Sequence, residues 1–163
     1  MFESPTTQRT LAIAQFASTW FLVGLMWTIH FIHYALFPKV GADNFVAYEK
    51  AHVDRIGNLL LLPWVVEGAT LLAILVLAFL GSRRDLRLPA AINAVAMGVV
   101  LAISGFWSAP AHGDLMRGFD RDVFDRLMAA DLVRTFAWTV CGATAVWIVA
   151  RLWSTPQRGG SAS

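Results

Sequence analysis

Residues Leu11–Phe37 read LAIAQFASTWFLVGLMWTIHFIHYALF, a run of 27 positions without Asp, Glu, Lys or Arg. A helix needs about 20 apolar residues to cross the hydrocarbon core of a bilayer. The run is also much longer than the apolar region of a secretory signal peptide, which spans about 7–15 residues. We therefore expect it to form a membrane-spanning helix that is retained in the protein.

Three later stretches share this apolar character. Only helices and closed barrels satisfy their backbone groups inside lipid, and these stretches are too long and continuous for barrel strands. The sequence therefore predicts an all-α fold, a four-helix transmembrane bundle that forms a single membrane domain over residues 1–153. We expect its helices at about 11–37, 56–81, 88–111 and 127–152, and a disordered tail over 154–163.

The composition excludes several classes of protein. Residues of the AVILMFWYC set make up 57% of the chain, and charged residues make up 15%, against about 25% in an average soluble domain. This hydrophobicity rules out a disordered chain and argues against an ordinary soluble enzyme. The formal net charge is only +2, so nucleic acid is not an expected partner. The expected partners are the lipid bilayer, a small lipophilic substrate and, in a homo-oligomer, further copies of the chain.

The two longer connections between the apolar runs are predicted to form short amphipathic helices on one side of the bundle. Their aromatic, aliphatic and histidine residues recur at helical spacing, namely Phe45, Tyr48, His52 and Ile56, then Phe119, Val123 and Leu127.

The orientation in the membrane follows from the remaining, short connection. It carries Arg83, Arg84 and Arg87, a cluster typical of cytoplasmic loops. Four spans place both termini on the side of this loop. We therefore expect a multi-pass protein of the bacterial inner membrane with both termini in the cytoplasm.

Ionisable side chains inside the apolar runs are candidates for function, because each costs several kcal/mol unless it is paired or hydrated. Glu67 is the deepest, about 17 Å from Ile56 along its helix. Asp131 and Arg134 are three residues apart, a spacing that predicts an ion pair. The histidines all fall in the half of the bundle towards the two patterned connections, and they are His30, His33, His52 and His112.

These residues suggest a metal site. Two or three histidines with a carboxylate are a common ligand set for iron, zinc or copper. The ligand set we hypothesise is His33, His52, His112 and Glu67. In this hypothesis Glu67, Tyr34 and Arg134 are the catalytic residues: Tyr34 donates a proton or hydrogen bond, and Arg134 orients the substrate. The predicted function is a metal- or proton-handling oxidoreductase for a small lipophilic substrate.

Three alternatives stay open. Glu67 could pair with Arg134, or be held protonated, only to stabilise the packing. A b-type cytochrome subunit would use His30 or His33, with His112, as axial ligands of a haem. A non-catalytic transporter or assembly protein could use Glu67 as a proton-carrying group.

Several short motifs spread over most of the chain carry a family resemblance. They are His33-Tyr34-x-x-Phe37, Tyr48-x-x-x-His52, Glu67, Pro110-x-His112-Gly113, Gly118-Phe119-Asp120 and Arg134-Thr135-x-x-Trp138-Thr139. With these the chain resembles small bacterial four-helix integral membrane proteins of unknown function and, more loosely, the anthrone-oxygenase-like family. That family name implies oxygenation of a hydrophobic aromatic molecule with little help from a cofactor. The resemblance assigns no catalytic residue.

Overall fold

A computed structural model describes residues 4–154 and confirms the all-α, four-helix architecture. Each of the four helices is long and apolar enough to cross a membrane. Each packs against two neighbours in the cyclic order α1, α2, α3, α4. The predicted tail lies outside the described residues, apart from Ser154, which ends the last helix. The four helices are α1 (Pro5–Lys39), α2 (Ala42–Phe79), α3 (Arg84–Leu115) and α4 (Arg121–Ser154).

The two patterned connections are helical, but they are not separate helices. The first is the beginning of α2, which runs for 38 residues without interruption, and the second is the beginning of α4. No proline precedes Pro63 in α2, so nothing ends the helix between Ala42 and the membrane-spanning part. At 1.5 Å per residue α2 is about 57 Å long, roughly twice the hydrocarbon thickness. The helix is therefore longer than one membrane crossing requires, and its first turns carry polar side chains at the end of the bundle.

Two helices contain a π turn at this same end of the bundle. In α1 a regular α-helix, Pro5–Thr28, is followed by a π turn, Ile29–His33, and a 3₁₀ segment, Tyr34–Lys39. In α3 the π turn is Ser104–Ser108, and an α-helical segment, Ala109–Leu115, follows it. Single π turns inside α-helices occur frequently at functional sites.

The outer surface of the bundle is apolar, as a lipid-facing surface must be. Large apolar side chains on all four helices are exposed, among them Phe31, Leu62, Val95, Phe106 and Phe136. The interior contains an apolar core and also several buried polar side chains. This distribution supports insertion of the bundle in a membrane, because an aqueous environment would favour the reverse arrangement.

Candidate functional site

A cluster of polar side chains lies at the end of the bundle where the π turns occur, and all four helices contribute to it. The turns that end α1 supply His30, His33 and Tyr34, and the first turns of α2 supply Glu49 and His52. The end of α3 supplies His112, and the first half of α4 supplies Asp131 and Arg134. We call these eight residues the polar cluster. It brings together all four histidines of the chain, as their positions in the sequence predicted.

The first part of the polar cluster is a hydrogen-bonded chain of Tyr34, His112 and Glu49. His112 Nδ1 lies 2.5 Å from Glu49 Oε1, and the Tyr34 hydroxyl lies 2.9 Å from His112 Nε2. An ionised carboxylate only accepts, so His112 donates from Nδ1 to Glu49. Its Nε2 is then the acceptor for the Tyr34 O–H in neutral imidazole. Glu49 is fully buried, and its Oε1 depends on the N–H of this imidazole for a hydrogen bond.

The second part is a pair of stacked imidazoles. His33 Nε2 lies 2.7 Å from His52 Nδ1, and the two ring centroids are 4.6 Å apart. The Tyr48 hydroxyl reaches His33 Nε2 at 3.4 Å, and the His52 ring lies 5.3 Å from that of His112. His52 Nε2 is buried and has no hydrogen-bond partner among the described residues.

The third part is centred on Asp131, which is completely buried. Its Oδ1 accepts a hydrogen bond from Arg134 Nη2 at 2.6 Å, so the ion pair predicted from the sequence is present. Its Oδ2 lies 2.9 Å from His30 Nδ1. The side chain predicted to bind a cofactor, His30, is therefore held by a carboxylate. Arg134 also lies against Tyr34, which joins this part to the first.

Glu67 does not lie in the polar cluster. Its Oε1 accepts a hydrogen bond from Thr19 at 2.8 Å, and its Oε2 accepts one from the Trp138 indole at 3.0 Å. It neither joins His33 and His112 nor pairs with Arg134. The reason is the continuity of α2: His52 precedes Glu67 by 15 residues, which is about 23 Å along a helix. Glu49, in the protruding turns of α2, is the carboxylate that contacts His112.

A cavity of about 230 Å³ opens beside the polar cluster, between the four helices. Its polar walls are Tyr34, His112, Arg134 and two serines of the π turn in α3, Ser104 and Ser108. Its other walls are mostly apolar. A wider groove of about 350 Å³ lies on the lipid-facing side between α1 and α2 and ends on His33 and His52. Ile29 and Ile56 line both spaces, so they separate the inner cavity from the groove.

The predicted metal ligands are only partly brought together. Three of them, His33, His52 and His112, are neighbours, whereas Glu67 is held elsewhere. Across residues 4–154 no group of three or more His, Cys, Asp or Glu side chains has the arrangement of a metal site. The facing nitrogens of His33 and His52 bond to each other. Binding of iron, copper or zinc therefore stays a prediction.

Sequence reasoning missed Glu49, Ser104 and Ser108. A signal for Glu49 was present, because Glu49-Lys50-Ala51-His52 is a Glu-x-x-His pattern that places both polar side chains on one helical face. In four-helix bundles that bind two iron or manganese ions, this pattern supplies inward-facing metal ligands. No comparable sequence pattern predicts a role for the serines, because their orientation depends on a π turn that cannot be predicted from the sequence.

Comparisons with known proteins assign no function to the chain. No protein-family model, no curated protein and no solved structure matches the chain significantly. The resemblance to the anthrone-oxygenase-like family therefore stays a prediction.

Proposed function

We propose that the protein is a membrane-embedded enzyme that transfers a proton to or from a small lipophilic substrate in the inner cavity. One observation carries this proposal: the cavity is lined by a Tyr34 hydroxyl that is hydrogen-bonded to one ring nitrogen of His112, whose other ring nitrogen is bonded to the buried Glu49. A reactive hydroxyl, a base and a group that orients the base form the arrangement that activates nucleophiles and acid–base catalysts in many enzymes.

The three side chains can move one proton in a defined direction. His112 Nε2 takes the Tyr34 proton, and the Tyr34 oxygen then takes a proton from the substrate. Glu49 stabilises the imidazolium that forms, and Arg134 stabilises the negative charge on the Tyr34 oxygen before the substrate proton arrives. Reversal of these transfers returns the proton to another atom of the substrate. The net reaction is a proton shift within the substrate, which needs no oxidant or reductant.

The charges of the polar cluster suit this role. Two buried carboxylates, Glu49 and Asp131, face one guanidinium, that of Arg134. With neutral imidazoles this leaves one uncompensated negative charge, so one additional proton on the histidines makes the cluster neutral. Such a site can hold or release a single proton without creating a large net charge in a medium of low dielectric constant.

Deuterium exchange tests the proposal. The purified protein in lipid nanodiscs is incubated in D₂O with 2-acetylnaphthalene, a lipophilic ketone whose methyl protons exchange through an enol. Mass spectrometry measures deuterium uptake. We expect the wild-type protein to accelerate exchange and Y34F to lose about 10²–10⁴-fold of that acceleration, the usual contribution of a general acid or base.

The matched control is Y48F, which removes the other tyrosine hydroxyl near the histidines. Tyr48 contacts His33 and does not line the inner cavity. Y48F is therefore expected to exchange at the wild-type rate. Equal rates for wild type, Y34F and protein-free nanodiscs, over a set of enolisable aryl ketones, would contradict the proposed function.

A metal-dependent oxidoreductase is a second candidate function. It is supported by the proximity of three imidazoles and one carboxylate, those of His33, His52, His112 and Glu49, together with the Glu-x-x-His pattern. Elemental analysis and an absorption spectrum of one detergent-purified sample distinguish the candidates. Stoichiometric iron, copper or zinc that is lost in H52A would favour the metal enzyme. A Soret band would favour the b-type cytochrome.

We also propose that the protein lies in a bacterial inner membrane with both termini in the cytoplasm. The short connection between α2 and α3, together with the first turn of α3, supports this orientation, because it carries Arg83, Arg84 and Arg87 and only one acidic residue, Asp85.

A further inference from the structure

Three buried polar atoms at the inner cavity have no hydrogen-bond partner. They are Ser104 Oγ, Ser108 Oγ and Arg134 Nε, and all three residues line the cavity. Ser108 and Arg134 are more than nine-tenths buried. A buried donor without a partner is destabilising, so such groups are normally satisfied by water or by a ligand.

The two serines differ from most hydroxyl-bearing residues in these helices. Ser18, Thr70 and Thr144 each donate to the backbone carbonyl four residues earlier, the usual solution for a hydroxyl inside an apolar helix. Ser104 and Ser108 make no such bond. Both belong to the π turn of α3, and both line the cavity. Their hydroxyls are therefore free to donate to a molecule that occupies it.

The charges around the inner cavity indicate whether its ligand is neutral or anionic. The guanidinium of Arg134 is already neutralised by Asp131 through its Nη2, and Glu49 adds a further negative charge to the polar cluster. An anion would raise the excess of negative charge in a buried site, which is costly at low dielectric constant. A neutral oxygen acceptor would satisfy the three donors without this cost.

The rest of the cavity recognises an apolar molecule. Met26, Val53 and Leu60 belong to its walls, and Ile29 and Ile56 separate it from the lipid-facing groove. The ligand is therefore one that partitions into the bilayer and carries its oxygen at one end.

We infer that Arg134, Ser104 and Ser108 form an anchor for the carbonyl oxygen of a neutral, lipid-soluble substrate. This inference rests on the proposed function, since it names the substrate class of the same cavity. The anchor holds the oxygen beside Tyr34, so the carbon next to the carbonyl is the one that loses its proton. The same three donors stabilise the enolate oxygen that forms.

Binding of three naphthalene probes tests the anchor. Equilibrium dialysis against protein-containing and empty phosphatidylcholine nanodiscs measures the affinity for 2-acetylnaphthalene, naphthalene-2-carboxylate and naphthalene. We expect the ketone to bind at least about tenfold more tightly than naphthalene, since two or three hydrogen bonds contribute about 1.4 kcal/mol or more. In S104A/S108A the ketone affinity should fall to within about threefold of that for naphthalene, whereas S18A should behave as wild type.

Each contrary result overturns a defined part of the inference. Equal affinity for ketone and naphthalene, or an unchanged ketone affinity in S104A/S108A, would overturn the anchor. Tighter binding of the carboxylate than of the ketone would overturn the assignment of a neutral ligand. A comparison of ketone binding with deuterium exchange separates this inference from the proposed function. Tight ketone binding without exchange in wild type would support the anchor and refute the proton transfer. Exchange at the wild-type rate in S104A/S108A would support the proton transfer and refute the anchor.

Discussion

At the scale of single residues, the two buried glutamates of α2 have different surroundings. Glu49 is bonded to the imidazole of His112, which lines the inner cavity, so it can assist a proton transfer there. Glu67 accepts one hydrogen bond on each oxygen from Thr19 and Trp138 and does not line the described cavities. Its partners lie on α1 and α4, so Glu67 ties three helices together. We assign Glu67 to stability and Glu49 to the site.

The role of Glu67 predicts a difference between two substitutions. E67L leaves the Trp138 indole N–H and the Thr19 hydroxyl without their partner in the bundle interior, and should lower the free energy of unfolding by about 1–3 kcal/mol. E67Q retains an oxygen for the indole and an amide that donates to Thr19, so its loss should be clearly smaller. Reversible unfolding in mixed micelles measures both. Equal stability of E67L and wild type would show that Glu67 does not hold the helices together.

Asp131 provides a second prediction at this scale. D131N removes the charge that compensates Arg134 and weakens the bond to His30, so it leaves a buried guanidinium without its counter-ion. We expect a loss of about 3–5 kcal/mol. The matched control is D125N, six residues earlier on α4, where the pair with Arg121 is exposed and contributes at most about 1 kcal/mol. Comparable losses for the two variants would contradict the assigned role of Asp131.

The sequence allowed part of the site to be predicted. The histidines, Tyr34, Arg134 and the pair of Asp131 and Arg134 were identified because polar side chains in apolar runs are conspicuous. The partners of Glu67 were not, because a buried carboxyl can bond to any donor at its depth. Membrane helices are apolar on every face, so the periodicity that marks the inner face of a soluble helix is weak here.

At the scale of helices, the π turn of α1 sets the direction of the site residues that follow it. A π turn contains more residues than an α turn, so the chain beyond Ile29–His33 is rotated relative to a regular helix. This rotation brings Tyr34 and Phe37 to the interior, where both are buried, while Phe31 and Ile32 face outward. The sequence predicted the helix but not this turn, because a π turn lacks a residue signature of its own.

Deletion of Ile32 tests how the π turn positions Tyr34. The π turn holds one residue more than an α turn, so removing one residue allows a regular α-helix in which Tyr34 and the side chains after it keep their direction. We expect ketone exchange to be retained in this variant. The control is deletion of Val23 in the regular α-helical part of α1, which turns all following side chains by about 100° and should abolish exchange while the helical circular-dichroism spectrum is unchanged. An equal loss of exchange in the two deletion variants would show that the turn does not accommodate the extra residue.

The beginnings of α2 and α4 show another limit of prediction from sequence. Their helical periodicity was recognised, but a periodic pattern does not tell whether a segment is a separate helix or the first turns of a longer one. The absence of a proline or a loop signal between Ala42 and Ile56 was the available indication of continuity. That continuity is what moves Glu67 away from the histidines and places Glu49 among them.

At the scale of the whole molecule, the fold separates two ends with different character. One end carries the polar cluster and the long first turns of α2. The other has the short connection between α2 and α3 and the first turn of α3, which together carry Arg83, Arg84 and Arg87. This second end also has Pro5, near the start of α1, and Ser154, the last described residue of α4. The number of spans followed from the sequence, because the length and continuity of apolar runs are the strongest signals in membrane proteins.

The orientation predicts which positions a membrane-impermeant thiol reagent can reach. The single native cysteine, Cys141, is buried, so C141A gives a background for single-cysteine variants. In intact bacterial cells D43C and R117C should react from outside the inner membrane, whereas S82C should react only after the cells are opened. Labelling of S82C in intact cells, with protection of D43C, would establish the opposite orientation.

The central claim is that Glu49, His112 and Tyr34 form one hydrogen-bonded chain at the cavity. Solid-state NMR of histidine labelled with ¹⁵N, in lipid bilayers at neutral pH, tests it most directly, with His112 assigned by comparison with H112N. We expect a neutral His112 with its proton on Nδ1, and a change of the Nε2 signal in Y34F that leaves Nδ1 almost unchanged. A proton on Nε2 in place of Nδ1, or a spectrum that does not respond to Y34F, would show that the three side chains do not form this chain.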